Sequence, residues 1–112
     1  GQVVASQMGS YIWSGIGGQL DVMTGAAMSK GGKPNTALPS TTSKGLPRIV
    51  PFINKGAAVD TGRYNASSVV TEFGIAYLWG KTGRQRAESL IKDCHPDHRD
   101  KLRYEAKNVN IL

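Results

Sequence analysis

The sequence predicts an α/β fold, and three observations carry that prediction. Ala87, Leu90, Ile91 and Cys94 recur at i, i+3, i+4 and i+7, the spacing of one face of an amphipathic helix. Short β-branched runs occupy the middle of the chain, most clearly residues 67–73 (SSVVTEF). Near the start, a glycine-rich turn opens a second helical pattern. The order is therefore loop, helix, strands, two helices, in 112 residues, the length of one ordinary domain.

Each element has its own local reason. Residues 1–14 (GQVVASQMGSYIWS) read as an extended start with a loop, and Val3 and Val4 have strand character with no run beforehand to pair with. Leu20, Met23 and Ala27 share one helical face, which predicts a helix from about Gly18 to Ser29 with Gly25 as its weak point. Lys30-Gly31-Gly32-Lys33-Pro34 ends it, because two glycines and a proline cannot continue a helix. Residues 36–39 and 48–53 read as strands on either side of a polar loop at 40–45. Pro51 removes a ladder donor, so the second is expected at a sheet edge or bulge. Residues 55–65 are a turn-rich connection, and the run at 67–73 is a strand that stops at Gly74. Thr82 and Gln85 match a capping box at the start of the next helix. Pro96 suits the first position of the last helix, whose thinner apolar stripe is Leu102, Ala106 and Val109.

Composition narrows the function classes. Apolar residues make up 39% and charged residues 20% of the chain, which excludes a coiled coil, an acidic disordered tail and collagen. No stretch approaches the roughly 20 uninterrupted apolar residues of a membrane helix, so no membrane partner is expected. Gly1-Gln2-Val3-Val4 has no basic region of the kind that opens a signal peptide. One cysteine, Cys94, excludes an internal disulfide framework and a multi-thiolate metal site. A reduced, cytoplasmic compartment is the expectation. The net charge of +6 divides evenly, with +3 on residues 1–80 and +3 on 81–112. Nucleic-acid binders concentrate charge in a stripe or tail, so no nucleic-acid partner is expected. A site for a small anionic ligand fits the balance better.

Fourteen glycines are many for this length, and half of them lie between Gly9 and Gly32. Residues 14–19 (Ser14, Gly15, Ile16, Gly17, Gly18, Gln19) form the main chemical signal. A glycine turn that opens a helix presents backbone N–H groups to an anion or a developing oxyanion. Two standard versions fail: a dinucleotide fingerprint from Gly15 needs glycine where Leu20 stands, and a P-loop needs Ser or Thr where Pro34 follows Lys33. A tight structural turn and a ligand nest both remain open on these residues, and Lys33 is either a solvated loop lysine or a second positive contact. Glu72, one of three glutamates, is a candidate nucleophile or base, against a strand-end carboxylate held by backbone or arginine partners. Cys94 lies on an apolar face, the place of a buried inert thiol. His95, Asp97, His98 and Asp100 surround a helix start, where Asp and His serve as caps, and no metal site is assigned to them.

Taken together, these segments resemble the acetyl-CoA hydrolase and 4-hydroxybutyrate CoA-transferase family. Ser14-Gly15-Ile16-Gly17-Gly18-Gln19-Leu20-Asp21 is similar to its SG-x-GGQ-x-D segment, and Gly25 to Lys33 continue in register. Ala37-Leu38-Pro39-Ser40-Thr41 and Arg48-Ile49-Val50-Pro51-Phe52 follow. Val70-Thr71-Glu72-Phe73-Gly74-Ile75-Ala76 is similar to a VTE-[YF]-G-x-A segment. Gly80-Lys81-Thr82, Arg86-Ala87-Glu88 and His95-Pro96-Asp97 close the match, which runs from Gly1 to about Ala106. The chain departs from the pattern at Tyr77 and Trp79, where charged residues are usual, and at His98, where an aromatic is usual.

The resemblance implies a CoA-transferase-type α/β domain, of which residues 1–112 are the C-terminal portion of the second copy. The N-terminal domain and the segment carrying the nucleophilic glutamate are expected to lie outside this chain. It implies transfer of CoA between an acyl-CoA and a small carboxylic acid through a glutamyl-CoA thioester on that upstream glutamate. Hydrolysis of the acyl-CoA, or CoA binding without catalysis, are the alternatives. CoA is then a substrate, with no permanently bound cofactor. The site residues it implies are Ser14, Gly15, Gly17, Gly18, Gln19 and Lys33, all on CoA, and no catalytic residue falls within the chain. Glu72 belongs to a different motif and does not inherit the nucleophile's role. The isolated chain is expected to be inactive and to exist stably only beside the rest of the enzyme or as a homo-oligomer, either of which covers apolar surface including Val3, Val4, Ile49, Val50, Val69 and Val70.

Overall fold

The computed structural model describes residues 1–112. A two-residue hairpin comes first, β1 (Gln7–Met8) and β2 (Tyr11–Ile12), followed by α1 (Gln19–Met28) and β3 (Asn35–Ala37). A long irregular crossover leads to β4 (Ser68–Thr71) and β5 (Gly74–Tyr77), and α2 (Gly83–Asp93) and α3 (Pro96–Asn108) close the chain. The expected α/β class is therefore the one observed.

The main sheet is ordered β3-β4-β5. β3 runs parallel to β4, with Thr36 opposite Val69. β4 and β5 are antiparallel, with Val69 opposite Ala76 and Thr71 opposite Gly74. Side chains alternate between the faces of a strand, so one face carries Val69 and Ala76, with Leu78 two residues on. That face meets Leu90 of α2, and together with Ala66 forms the first core cluster. The second cluster joins α2 to α3 through Ile91, Cys94, Leu102 and Ala106, with Ile49 of the crossover packed against it.

The helices begin and end where their chemistry requires. The Thr82 hydroxyl accepts from the Gln85 amide, and the Gln85 side chain accepts from the Thr82 amide, completing the expected capping box. α3 starts with Pro96 at its first turn, and His95 Nδ1 accepts from the Asp97 amide as its cap. Asp60 ties the N-terminal segment down. Its buried carboxylate accepts from the amides of Ala5 (2.5 Å) and Ser6 (2.8 Å) and from the Ser6 hydroxyl (2.6 Å). These bonds, the Ser6 hydroxyl first, hold its carboxyl below the usual range. Val3 completes the attachment by bridging to Thr61.

Several expectations are corrected. Residues 48–53 form no strand: the chain bends there, pinned by the bond from the Arg48 amide to the Ser40 carbonyl and by Ile49 against the helices. Pro47 and Pro51 remove the donors a ladder would need. The strand expected at 67–73 stops at Thr71, where the chain turns back into β5, an element absent from the expectation. The hairpin β1–β2 replaces the expected loop. In α1 only Met23 is buried, and Ala27 is exposed. Val109 lies past the end of α3 and is exposed. Val69, expected on an open surface, is a core residue at 6% exposure.

Candidate functional site

The glycine-rich turn owes its path to Gly17, whose φ of 64° lies in the left-handed region that L side chains resist. Gly18 then caps α1 with φ at −93° and no side-chain hydrogen bond to the helix amides. The positive-φ requirement thus falls on Gly17 and not on Gly18. Nothing lies within 4 Å of where a Cβ would project from Gly15, Gly17 or Gly18. The surface around these glycines is open, and the first turn of α1 has no capping side chain at the positive end of the helix dipole.

Gly18 and Gln19 form part of the wall of a cleft of about 980 Å³ between the N-terminal segment, the start of α1 and β3. Trp13, Val22 and Met23 give it an apolar side, and β3 borders it along its full length. Arg48 brings a positive charge to the same cleft, and its Nε donates to the Thr41 carbonyl at 3.4 Å. Arg48 was not singled out in the sequence, where it had been placed in a strand. The signal that would have found it is the flanking pair of prolines, which turns the segment into a loop around the cleft.

The other expected contacts lie elsewhere. Ser14, Gly15 and Gly17 are exposed on the turn but outside the cleft lining. Lys33 is exposed and starts from the opposite end of α1, where Gly32 folds onto the Ala26 carbonyl. Ten helical residues separate it from Gly18, about 15 Å at the usual rise. The structure thus places Gly18 and Gln19 together on the cleft and leaves Lys33 a helix length away. Across the chain no Lys or Arg nitrogen lies within 4.0 Å of a carboxylate, so the fourteen basic groups are not neutralised by direct pairing.

The remaining singled-out residues have structural partners. Glu72 accepts from the Ser40 amide at 2.9 Å and from the Ser40 hydroxyl at 2.5 Å. The Ser40 hydroxyl, followed by main-chain donors, holds the Glu72 carboxyl below its usual range. A depressed pKa suits a permanent acceptor that fixes the loop after β3, not a base awaiting a proton. Cys94 is fully buried, and desolvation raises its thiol pKa, as expected of an inert thiol. His98 Nε2 lies 3.0 Å from the Gly45 carbonyl, so it tethers the crossover to α3. No helix is long and apolar enough to cross a membrane.

Comparison with known proteins identifies the family. Residues 1–106 match the family model for the acetyl-CoA hydrolase/transferase C-terminal domain. The chain is 50% identical over 104 residues to the succinyl-CoA:acetate/propanoyl-CoA:succinate CoA transferase of Fasciola hepatica, covering 91% of this chain and 22% of that one. It is 49% identical over 108 residues to the 4-hydroxybutyrate coenzyme A transferase of Clostridium kluyveri, covering 96% and 25%. Its fold superposes on the crystal structure of RipA from Yersinia pestis with a TM-score of 0.90 at 40% identity, over 100% of this chain and 25% of that one. The chain thus spans about a quarter of the length of these relatives. On the match along residues 1–106, it belongs to the acetyl-CoA hydrolase/transferase family, as the C-terminal domain.

Proposed function

We propose that this chain is the C-terminal portion of a CoA-transferase that moves CoA between an acyl-CoA of the 4-hydroxybutyryl, butyryl or acetyl type and a small carboxylic acid. The observation that carries the reading is the uncapped glycine turn at the start of α1, set on the wall of a cleft. In the reaction, a glutamate carboxylate outside this chain attacks the thioester carbonyl. The C–S bond breaks, leaving an acyl-glutamyl anhydride and CoA thiolate. The thiolate then attacks the glutamyl carbonyl, releasing the first acid and forming a glutamyl-CoA thioester. The acceptor carboxylate reverses the sequence and leaves as the new acyl-CoA.

This chain's part is binding and electrostatics. Each tetrahedral intermediate carries an oxyanion, and CoA carries a pyrophosphate and a 3′-phosphate. The amides at Gly17, Gly18 and Gln19 supply donors for such oxygens without moving, and Ser14 and Gly15 shape their approach. CoA is an extended molecule, so Lys33, a helix length from the turn, meets a different part of it. CoA is a substrate here, not a resident cofactor.

The test is a hybrid in which this chain replaces the matching quarter of the Clostridium kluyveri enzyme. Transfer of CoA from butyryl-CoA to acetate supports the reading. Release of free CoA at the same rate with and without acetate would assign the chain to a hydrolase. A folded hybrid that neither transfers nor hydrolyses would refute the catalytic reading.

A further inference from the structure

We propose that the sheet face carrying Ile75, Tyr77 and Trp79 is the surface on which the rest of the polypeptide docks, an inference that rests on the reading of this chain as one quarter of a CoA-transferase. β3 and β4 are neighbours in the main sheet. They are parallel, and parallel strands occur in sheets covered on both faces. Here α2 packs on one side only, and on the other side Ser68 is buried and Val70 half-buried while the β5 side chains are exposed. α2 packs on the face of Val69 and Ala76. The crossover runs on that same side, through Ile49 against Ile91 and Leu102, His98 against Gly45, and Arg86 against the Arg63 carbonyl.

The opposite face is set by register. Ala37, Val70 and Ile75 form one row across the three strands, and Tyr77 lies on the next. Trp79 continues the alternation beyond β5. Ile75 is 51% exposed, Tyr77 58% and Trp79 69%. Three large side chains at i, i+2 and i+4 project from an edge strand with no charged or proline residue from Gly74 to Trp79. Such an edge and face form an aggregation hazard unless something covers them.

The occupant follows from the length of polypeptide available. Relatives that contain this same fold have about three-quarters of their length outside it. A covering layer of that size needs neither a second copy nor a foreign partner.

Trp79 reports on the contact. Within this chain the only other tryptophan is Trp13, so Trp13→Phe, with every tryptophan of the Clostridium kluyveri portion also replaced by phenylalanine, isolates it. In the hybrid with the Clostridium kluyveri enzyme, acrylamide quenching of Trp79 should fall by about threefold or more relative to the 112-residue chain, as expected of an aromatic in an interface core. Quenching as strong as in the isolated chain overturns the proposal, even where the hybrid transfers CoA. Protection of Trp79 in an inactive hybrid supports the docking surface while the catalytic reading fails. In the isolated chain, light scattering should show association that Ile75→Lys/Tyr77→Lys/Trp79→Lys relieves with its helical circular dichroism intact. Trp79→Lys alone serves if the triple variant unfolds. A wild-type monomer, or association that these lysines leave unchanged, counts against the surface and decides the matter if the hybrid fails to fold. A dimer through this face together with an unprotected Trp79 in the hybrid would make the occupant a second copy.

Discussion

Replacing Asp93 by asparagine should stabilise the folded chain at neutral pH, by a margin that shrinks as the solution is acidified. Asp93 is the last residue of α2 and is only 3% exposed, and neither carboxylate oxygen has a hydrogen-bond partner. It also sits at the negative end of the helix dipole. Desolvation, the largest influence, raises its pKa. Glu72 raises it further, and Arg99 lowers it. The Thr71 hydroxyl cannot fully compensate, because it is committed to the Asp93 main-chain carbonyl at 2.7 Å. A buried polar group without its hydrogen bonds costs about 1–3 kcal/mol, and more when charged. Asparagine removes the charge but leaves an amide to be satisfied, and it forfeits the attraction of Arg99. The net gain should therefore be about 1 kcal/mol at pH 7.

The pH dependence follows from linkage. Between the ordinary value of 3.8 and the raised folded pKa, the native state holds the Asp93 proton more tightly than the unfolded chain does. The contribution of Asp93 to stability therefore falls as pH rises through that window and stays low above it. Asp60 and Glu72 act in the opposite sense. Their depressed pKa values give stability that is present above their ordinary values of 3.8 and 4.5 and lost as pH falls through the folded ones. Urea unfolding of wild type and Asp93→Asn at a series of pH values isolates the Asp93 term as a difference. A difference independent of pH, or one favouring wild type at pH 7, would refute the reasoning.

Four further outcomes can be checked alongside it. Gly17→Ala should lower stability by about 1 kcal/mol in urea unfolding, because alanine resists the left-handed region, whereas Gly18→Ala, at φ −93°, should be nearly silent. Lys33→Ala in the CoA-transferring hybrid should weaken CoA binding by roughly 1 kcal/mol by calorimetry, the scale of a charged hydrogen bond. Thr82→Ala should cost about 1 kcal/mol through loss of the capping box, read as a lower midpoint in the same unfolding assay. Acidification from pH 7 toward pH 3 should cost Asp60→Ala less stability than wild type, because the network around Ser6 is already absent.

What could be read in advance depended on how local the cause was. α2 and α3 were legible because Thr82, Gln85 and Pro96 set their ends within a few residues, and Ile91, Cys94, Leu102 and Ala106 repeat at helical spacing. β5 was not, because the reversal between Thr71 and Gly74 runs through Glu72 and Phe73, neither of which is a hairpin-turn residue. The first hairpin did carry a local signal, with Gly9-Ser10 between Gln7-Met8 and Tyr11-Ile12 and Gly9 at φ 59°, but its strands are too short for their alternation to stand out. The site was legible as a motif and not as a shape. Gly17, Gly18 and Gln19 could be found in the sequence, whereas the cleft that adds Trp13 and Arg48 depends on a crossover whose path is set by distant contacts through Ile49, Ser40 and His98. Val69 was misplaced for a related reason, since the face that a strand buries is decided by the helix that covers it.

On the proposed function, this chain binds and orients while the reacting glutamate lies elsewhere. Incubating the purified 112-residue chain with butyryl-CoA and acetate, and measuring acetyl-CoA, tests that claim directly. No acetyl-CoA above the uncatalysed background is the result predicted. Sustained turnover by the isolated chain, abolished by Glu72→Gln, would contradict it and make Glu72 a catalytic residue in place of the clamp on Ser40.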